Sequence, residues 1–416
     1  MTTLSSQDRR AYQANIWKAY LFHFLMHFQL WWAIWVLYLR DLRGFSLTQI
    51  TVLDALFWGT AVLAEVPTGA IADRFGRKVA LLLGAACTAT AVLIFGLATN
   101  YWIILGSYFA WALGIAFLSG TEHALLFESL KALGREREFQ RTAGRLGAIF
   151  SFAALAGGLI GAPIAAATDL SIPVLLSAAI AAPAVLVALS LREPPLPEGE
   201  MRLSYGRLLR ESARTAIRLP TVRTMLLVSS LVTALTFGPA IFMQPFLAGH
   251  GVDVGAIGFL LTPVRVTAMV GALVAYRATA LMGTRRVFMA APLVMVGAYL
   301  LLGGWNVVYA FAAFPLAAFM NSLLMPAATD YLNQRIPSSQ RATILSLRTM
   351  LASLWLVSLE PALGFTADAA SLQAVFWVAA GVVAIVVPLA LALWWQADRQ
   401  ESERVPPAYT TAASDR

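Results

Sequence analysis

Long apolar runs, each about the length needed to cross a bilayer, recur from Asn15 to Trp395 and are separated by short polar or charged turns. About 20 consecutive apolar residues cross a hydrocarbon core as a helix. A chain built from such runs has few folds open to it, because every backbone N–H and C=O inside lipid must be bonded within the protein. Helices meet that requirement one segment at a time. Composition agrees: 59% of the residues are hydrophobic and only 12% charged, against about 25% charged in soluble domains. The runs fill the whole length, which excludes a secreted soluble protein. The polar start Met1–Asn15 leads into a full-length span rather than a cleavable signal. Cys87 is the single cysteine, so neither an internal disulfide nor a cysteine-based metal cluster can form.

The runs give an all-α polytopic membrane protein with 12 transmembrane helices in two pseudo-symmetric six-helix bundles. The first bundle, 15–191, holds spans at about Asn15–Leu39, Leu47–Ala72, Arg77–Ala98, Tyr101–Leu130, Thr142–Ala167 and Ile172–Leu191. The second, 224–395, holds spans at about Met225–Leu247, Val254–Leu281, Val287–Gly303, Asn306–Tyr331, Ala342–Phe365 and Leu372–Trp395. Residues 1–14 form an N-terminal tail, and 396–416 a polar tail expected to be disordered. Ser46 and Gln49 have the spacing of a capping box at the start of span 2. Span 5 carries Gly144, Gly147, Gly157, Gly158 and Gly161, which let helices approach closely in lipid. The linker 192–223 opens with Pro194, Pro195 and Pro197. It then interleaves Arg202, Arg207, Arg210, Arg214 and Arg218 with Leu203, Leu208, Leu209 and Ile217, the pattern of a short amphipathic helix on a membrane surface.

Charge fixes an expected orientation. Of the 30 lysines and arginines, only Arg40 and Arg43 fall on the far side, and Arg145, Arg265 and Arg348 lie well inside spans. The others gather on the side that carries both termini, which places that side in the cytoplasm. This asymmetry also accounts for the net charge of +8 without a nucleic-acid partner. The two halves echo each other, as in transporters built from repeats. Glu128 and Arg145 correspond to Asp330 and Arg348, and Pro163 and Asp169 to Pro361 and Asp368. Gly283, Arg285 and Arg286 stand where a second copy of the span 2–3 turn belongs, but no aspartate accompanies them.

That turn, Glu65 to Lys78, packs Asp73, Arg74, Arg77 and Lys78 around Gly76 between two apolar runs. Gly69, Asp73, Arg74, Gly76, Arg77 and Lys78 match the signature loop between helices 2 and 3 of the major facilitator superfamily, which the chain resembles from about Asn15 to Trp395. A bacterial branch of that superfamily is suggested by three phrases. They are Glu65-Val66-Pro67-Thr68-Gly69, Gly120-Thr121-Glu122 with Ala124-Leu125-Leu126-Phe127-Glu128-Ser129-Leu130, and Arg341-Ala342-Thr343 with Leu345-Ser346-Leu347. The resemblance implies two bundles that rock about a central site, with the loop as a cytoplasmic gate. Asp73 would latch onto the start of span 11, near Ser339–Thr343 and including Arg341. Arg74, Arg77 and Lys78 would hold the loop against Glu128 or lipid phosphates. Read as residues alone, the same charges serve equally as topology anchors. The chain departs from the pattern in lacking the arginine of span 4 that some relatives use for proton coupling. The glycine–proline motif of span 5 is only partly present, as Gly157, Gly161 and Pro163.

Charges inside spans cost about 2.5–3.5 kcal/mol each at mid-membrane on insertion scales, so they should face the interior and find partners. His23 and His27, at i and i+4, share one face of span 1, and histidine changes charge near neutral pH. With Asp54, Glu65, Glu122, Glu128, Arg145, Arg265 and Glu360 they are candidates for substrate or proton coupling, structural pairing being the competing role. The expected pairs are Arg145 with Glu122, Glu65 or Glu128, Arg265 with Glu360, and Arg348 with Asp330. Gln29, Trp31, Trp35, Phe242, Gln244, Asn321 and Tyr331 are expected to line the cavity, with interfacial anchoring or plain packing as the alternative for the aromatic residues.

No phosphate-binding glycine loop with lysine and serine or threonine is present, no histidine–carboxylate cluster suggests a metal, and nothing supports an enzyme. No cofactor is expected; a proton gradient is the permitted driving force. The expectation is a monomeric secondary transporter of a small molecule, surrounded by membrane lipids. Export of amphipathic or apolar compounds fits the aromatic cavity, and uptake of a polar nutrient or metabolite is the alternative within that class. A channel, or a receptor or scaffold that has lost transport, lies outside it.

Overall fold

The computed structural model describes residues 5–194 and 205–404. The first half is built from α1 (Ser6–His27), α2 (Leu47–Phe75), α3 (Arg77–Leu97), α4 (Tyr101–Leu118), α5 (Thr121–Ala132), α6 (Phe139–Ala167) and α7 (Ile172–Ser190). Helix α8 (Tyr205–Arg218) lies in the linker and touches both α2 and, in the second half, the helix Arg341–Ala369. The second half holds α9 (Pro220–Ala240), α10 (Met243–Gly249), α11 (Val254–Met282), α12 (Thr284–Gly304), α13 (Phe314–Asn333), α14 (Arg341–Ala369) and α15 (Leu372–Arg404). Among the described residues eleven stretches are long and apolar enough to cross a membrane. The bent pair Ser6–Ala33 and Trp35–Leu42 supplies a twelfth. Of the linker residues singled out above, Pro195, Pro197, Arg202 and Leu203 lie outside the described residues.

Two spans are broken rather than continuous. Span 1 starts at Ser6, nine residues before its expected limit, leaves the α-helix at Phe28, and resumes at Trp35 after a bend of 59°. A break inside lipid frees backbone groups, and side chains take up several of them. The Gln29 amide donates to the Met26 carbonyl at 2.9 Å and accepts from the Trp31 indole at 2.9 Å. Leu30 N–H donates to Ser177 at 2.8 Å. Gln244, from the other half, accepts from Val36 N–H at 2.9 Å and donates to the Trp32 carbonyl at 3.0 Å. Replacing Gln244 by alanine is therefore expected to lower the unfolding midpoint in detergent. It strands the buried Val36 N–H, at about 1–3 kcal/mol, and frees the part-buried Trp32 carbonyl; an unchanged midpoint would mean that water takes the amide's place. Span 4 breaks at Gly120, whose φ of 68° lies in the left-handed region. The break sets Glu122 in the first turn of α5.

The turn between α2 and α3 is tight because Gly76 holds φ at 100°, and a Cβ there would run into the Glu193 carboxyl. That carboxylate accepts from the N–H groups of Arg77 and Lys78, both at 2.7 Å, and so caps the start of α3. A carboxylate at a helix N-terminus satisfies orphan donors and opposes the helix dipole.

The second half solves the same problem differently. Helix α15 does not stop at Trp395; residues 396–404, expected to be disordered, continue it. Asp398 is buried there and accepts from Arg285 at 2.7 Å, Tyr331 at 2.8 Å and Arg335 at 3.3 Å. Arg335 also reaches Glu401 at 3.0 Å. The aspartate missing from the second turn is thus supplied by the last helix.

The halves meet along α2 against α14 and α6 against α11. At the end away from the termini the fit is close. Gly364 packs on Thr51 and the Leu47 carbonyl, and Gly258 on the Gly158 carbonyl. Asp368, at the end of α14, accepts from Leu47 N–H at 3.1 Å, Thr48 N–H at 2.7 Å and the Thr48 hydroxyl at 2.6 Å. The predicted capping box is present on the same turn, with Ser46 and Gln49 bonding reciprocally at 3.2 and 3.0 Å.

Candidate transport pathway and gates

Two pairs of titratable side chains lie inside the spans. His23 of α1 and Glu122 of α5 are both buried, and His23 Nδ1 stands 2.5 Å from Glu122 Oε2. The other atom of each group, His23 Nε2 and Glu122 Oε1, has no hydrogen-bond partner among the described residues. The His27 ring lies 4.3 Å from that of His23, and Phe150 of α6 closes on His27 at 4.9 Å. The i, i+4 reading of the two histidines therefore holds, and their nearest carboxylate comes from the helix that Gly120 redirects.

The second pair spans the halves. The carboxyl groups of Asp54 of α2 and Glu360 of α14 lie beside one another. The Trp58 indole donates to Asp54 at 3.2 Å, and Glu360 is almost wholly buried. The expected partner of Glu360, Arg265, is elsewhere: its guanidinium sits 6.0 Å over the Trp32 ring. Glu65 makes a further link across the halves, accepting from Ser346 at 2.8 Å.

The loop charges form a local cluster. Arg77 donates to Asp73 at 2.9 Å and approaches Glu128 at 3.6 Å. Arg74 lies 5.4 Å over the Phe75 ring, Lys78 is held through its backbone by Glu193, and Arg341 is exposed. Gly69 is half-buried in the last turns of α2. Asp73 is engaged by Arg77 here, and at the opposite end of the bundle another carboxylate sits on a helix start, where Asp368 caps α2.

Other expected pairings are corrected. Glu122 is taken by His23, leaving Arg145 exposed. Arg348 donates to Thr329 at 2.9 Å, while Asp330 bonds Gln334 at 2.8 Å. The expected cavity lining is mostly structural. Gln29 and Gln244 mend the broken span. Trp31 is buried against Trp111 at 5.2 Å and Phe95 at 5.6 Å. Phe242 is fully buried, and Trp35 is half-buried against the core. Asn321 accepts from Thr233 at 3.2 Å, and Tyr331 belongs to the Asp398 cluster. An open cavity of about 540 Å³ instead lies between α11 and α13. It is lined by Ala272, Ser322, Met325, Pro326, Thr329, Asp330 and Asn333, toward the end that carries the termini.

A family model for the Major Facilitator Superfamily matches residues 17–246 and again 225–413. The chain belongs to that superfamily. As a member it is a transporter, not an enzyme, and moves a small molecule by alternating access. Solved structures agree in fold. A single-site mutant of the nucleoside transporter NupG superposes with a TM-score of 0.76 at 14% identity, covering 91% of this chain and 99% of that one. A bacterial homologue of the human lysosomal transporter Spinster, inward-facing and unoccupied, gives 0.70 at 18% identity, with 97% and 100% covered. A POT family transporter in complex with a thioalcohol-conjugated peptide gives 0.66 at 14%, with 93% and 96% covered. No curated protein sequence matches.

Within this superfamily fold, three carboxylates do what the sequence reading had not assigned. Glu193 caps α3, Asp368 caps α2 from the other half, and Asp398 completes the second turn. A signal for Asp398 was present: Trp394, Ala397, Asp398 and Glu401 recur at one helical face, continuing α15 past its apolar limit.

Proposed function

We propose that this chain is a proton-coupled secondary transporter of small amphipathic molecules, with both termini in the cytoplasm. The lysine and arginine asymmetry supports that orientation. Under it, the end sealed by Asp368, Gly364 and Gly258 faces outward and the open cavity faces the cytoplasm. Export is the direction to test first.

The observation that carries proton coupling is the His23–Glu122 pair. Adding or removing one proton changes its charge by one unit at a buried site. An uncompensated charge there costs about 2.5–3.5 kcal/mol. The cost falls differently on the open and closed arrangements of neighbouring α6, and that difference couples proton to conformation.

Alternating access is tested by locking the seal. Cysteines at Thr48 and Asp368, in a chain with Cys87 replaced, are joined by a short bifunctional reagent. Transport in proteoliposomes should stop, and a cleavable linker should restore it on reduction. Undiminished transport in the locked protein would rule out rocking about this seal.

A further inference from the structure

We infer that the transported molecule is an organic anion, whose charge is received by Arg265 and whose apolar body lies over Trp32 and Met269. This rests on the transport reading and narrows its substrate class. Helix α11 meets the first half at Gly258, which packs on the Gly158 carbonyl of α6. Arg265 lies seven residues further along α11, two turns toward the end with the termini and on the same face. It therefore faces the first half rather than lipid. At that level the helices have parted: Ser151 of α6 is exposed, and Gly147 has open space where a Cβ would stand. Arg265 and Trp32 (40% exposed) thus stand at the head of the gap between the halves. Trp32 belongs to the broken stretch of span 1, where Gln244 holds its backbone carbonyl and its ring stacks on Trp31 at 5.8 Å. Met269, four residues past Arg265 on its face, is 58% exposed.

The charge at this point is uncompensated. Arg265 has no ion pair among the described residues, and its nearest charge-stabilising neighbour is the face of an indole. A guanidinium stays protonated in proteins. A cation–π contact attracts it but leaves the net charge in place. The carboxylates of the spans are engaged elsewhere: Glu122 with His23, Asp54 with Glu360, Glu65 with Ser346 and Glu128 with Arg77. Ionisable groups inside a membrane protein are kept for partners or for cargo. Here the partner is missing, the guanidinium fork matches a carboxylate or phosphate, and exposed apolar groups flank it.

The test is thermal unfolding of the purified full chain in detergent with octanoate, 4-phenylbutanoate, indole-3-acetate and adipate, beside their primary amides and amines. At least one carboxylate should raise the unfolding midpoint saturably, and its amide and amine should not. Arg265→Gln should weaken that binding at least tenfold. Without ligand, the same variant should unfold at the same or a higher temperature, because it removes an unpaired charge. The inference is overturned if no carboxylate shifts the midpoint, if amides shift it equally, if Arg265→Gln binds unchanged, or if that variant is markedly less stable. Amides or amines that bind without Arg265, in a protein whose crosslinked form stops transporting, would leave transport standing and remove only the anion. Continued transport in the crosslinked form would fail the transport reading itself.

Discussion

Glu122→Gln is expected to cut transport driven by a pH gradient roughly 100-fold, while exchange of substrate for substrate continues. Glutamine is nearly isosteric and still offers His23 an acceptor, so the 2.5 Å contact between α1 and α5 survives in outline. What disappears is the ability to bind and release a proton. The energetic lever is the cost of an uncompensated charge at this depth, about 2.5–3.5 kcal/mol, which corresponds to about two decades in population. Exchange needs the bundles to rock with cargo but draws on no gradient, so it reports whether the variant is intact. Both rates are measured in the same proteoliposomes. Gradient-driven transport that survives at full rate would move the coupling to Asp54 and Glu360.

A second variant should affect folding itself. Gly161→Val is expected to destabilise the protein by about 3 kcal/mol or more, at the upper end of overpacking effects. A Cβ at Gly161 runs into the carbonyl, carbonyl carbon and Cα of Leu30, all backbone atoms that no rotamer change can move aside. Gly157 meets the Gln29 backbone in the same way. Gly144 and Gly147, on the same helix, have nothing within 4 Å of an added Cβ. Alanine at either should leave the unfolding midpoint unchanged or raise it, since glycine is the poorer helix former. Expression and thermal unfolding of the three variants decide the matter; a well-folded Gly161→Val protein would show that the two backbones can separate at little cost.

This contrast also shows what the sequence could reveal. Five glycines on span 5 looked alike as letters, and only the partner helix divides them into close-packed and open. The number of the spans was legible, because apolar runs of this length have one way to satisfy their backbone; the polar ends that carry the first helix back to Ser6 and the last one on to Arg404 were not. The capping box at Ser46 and the turn at Gly76 were legible for similar local reasons. The break in span 1 was not. The stretch from Phe28 to Trp35 holds neither glycine nor proline, and the break rests on Gly157, Gly161, Ser177 and Gln244 from other helices. Glutamine illustrates the difficulty at the site. Gln29 and Gln244 read as cavity groups because they are polar on inner helices, yet both are spent on the broken span, Gln244 on two backbone groups and Gln29 on the Met26 carbonyl and the Trp31 indole. Asp54 and Glu360 were recognisable singly as buried acids, but their pairing joins residues more than 300 positions apart and leaves no periodic trace.

The Asp398 cluster bears on how the two halves hold their corresponding turns. In the first half a glutamate just past the sixth span caps backbone N–H groups of the turn; in the second, an aspartate further along a longer helix gathers side chains instead, Arg285 from the turn together with Tyr331 and Arg335. The two halves therefore correspond here in charge and not in letters, and aligning one half on the other misses the match. The practical counterpart concerns protein engineering. A fluorescent fusion joined directly after Trp395, where hydropathy ends, would strip Arg285 and Arg335 of their counter-charges; one joined beyond Arg404 would not.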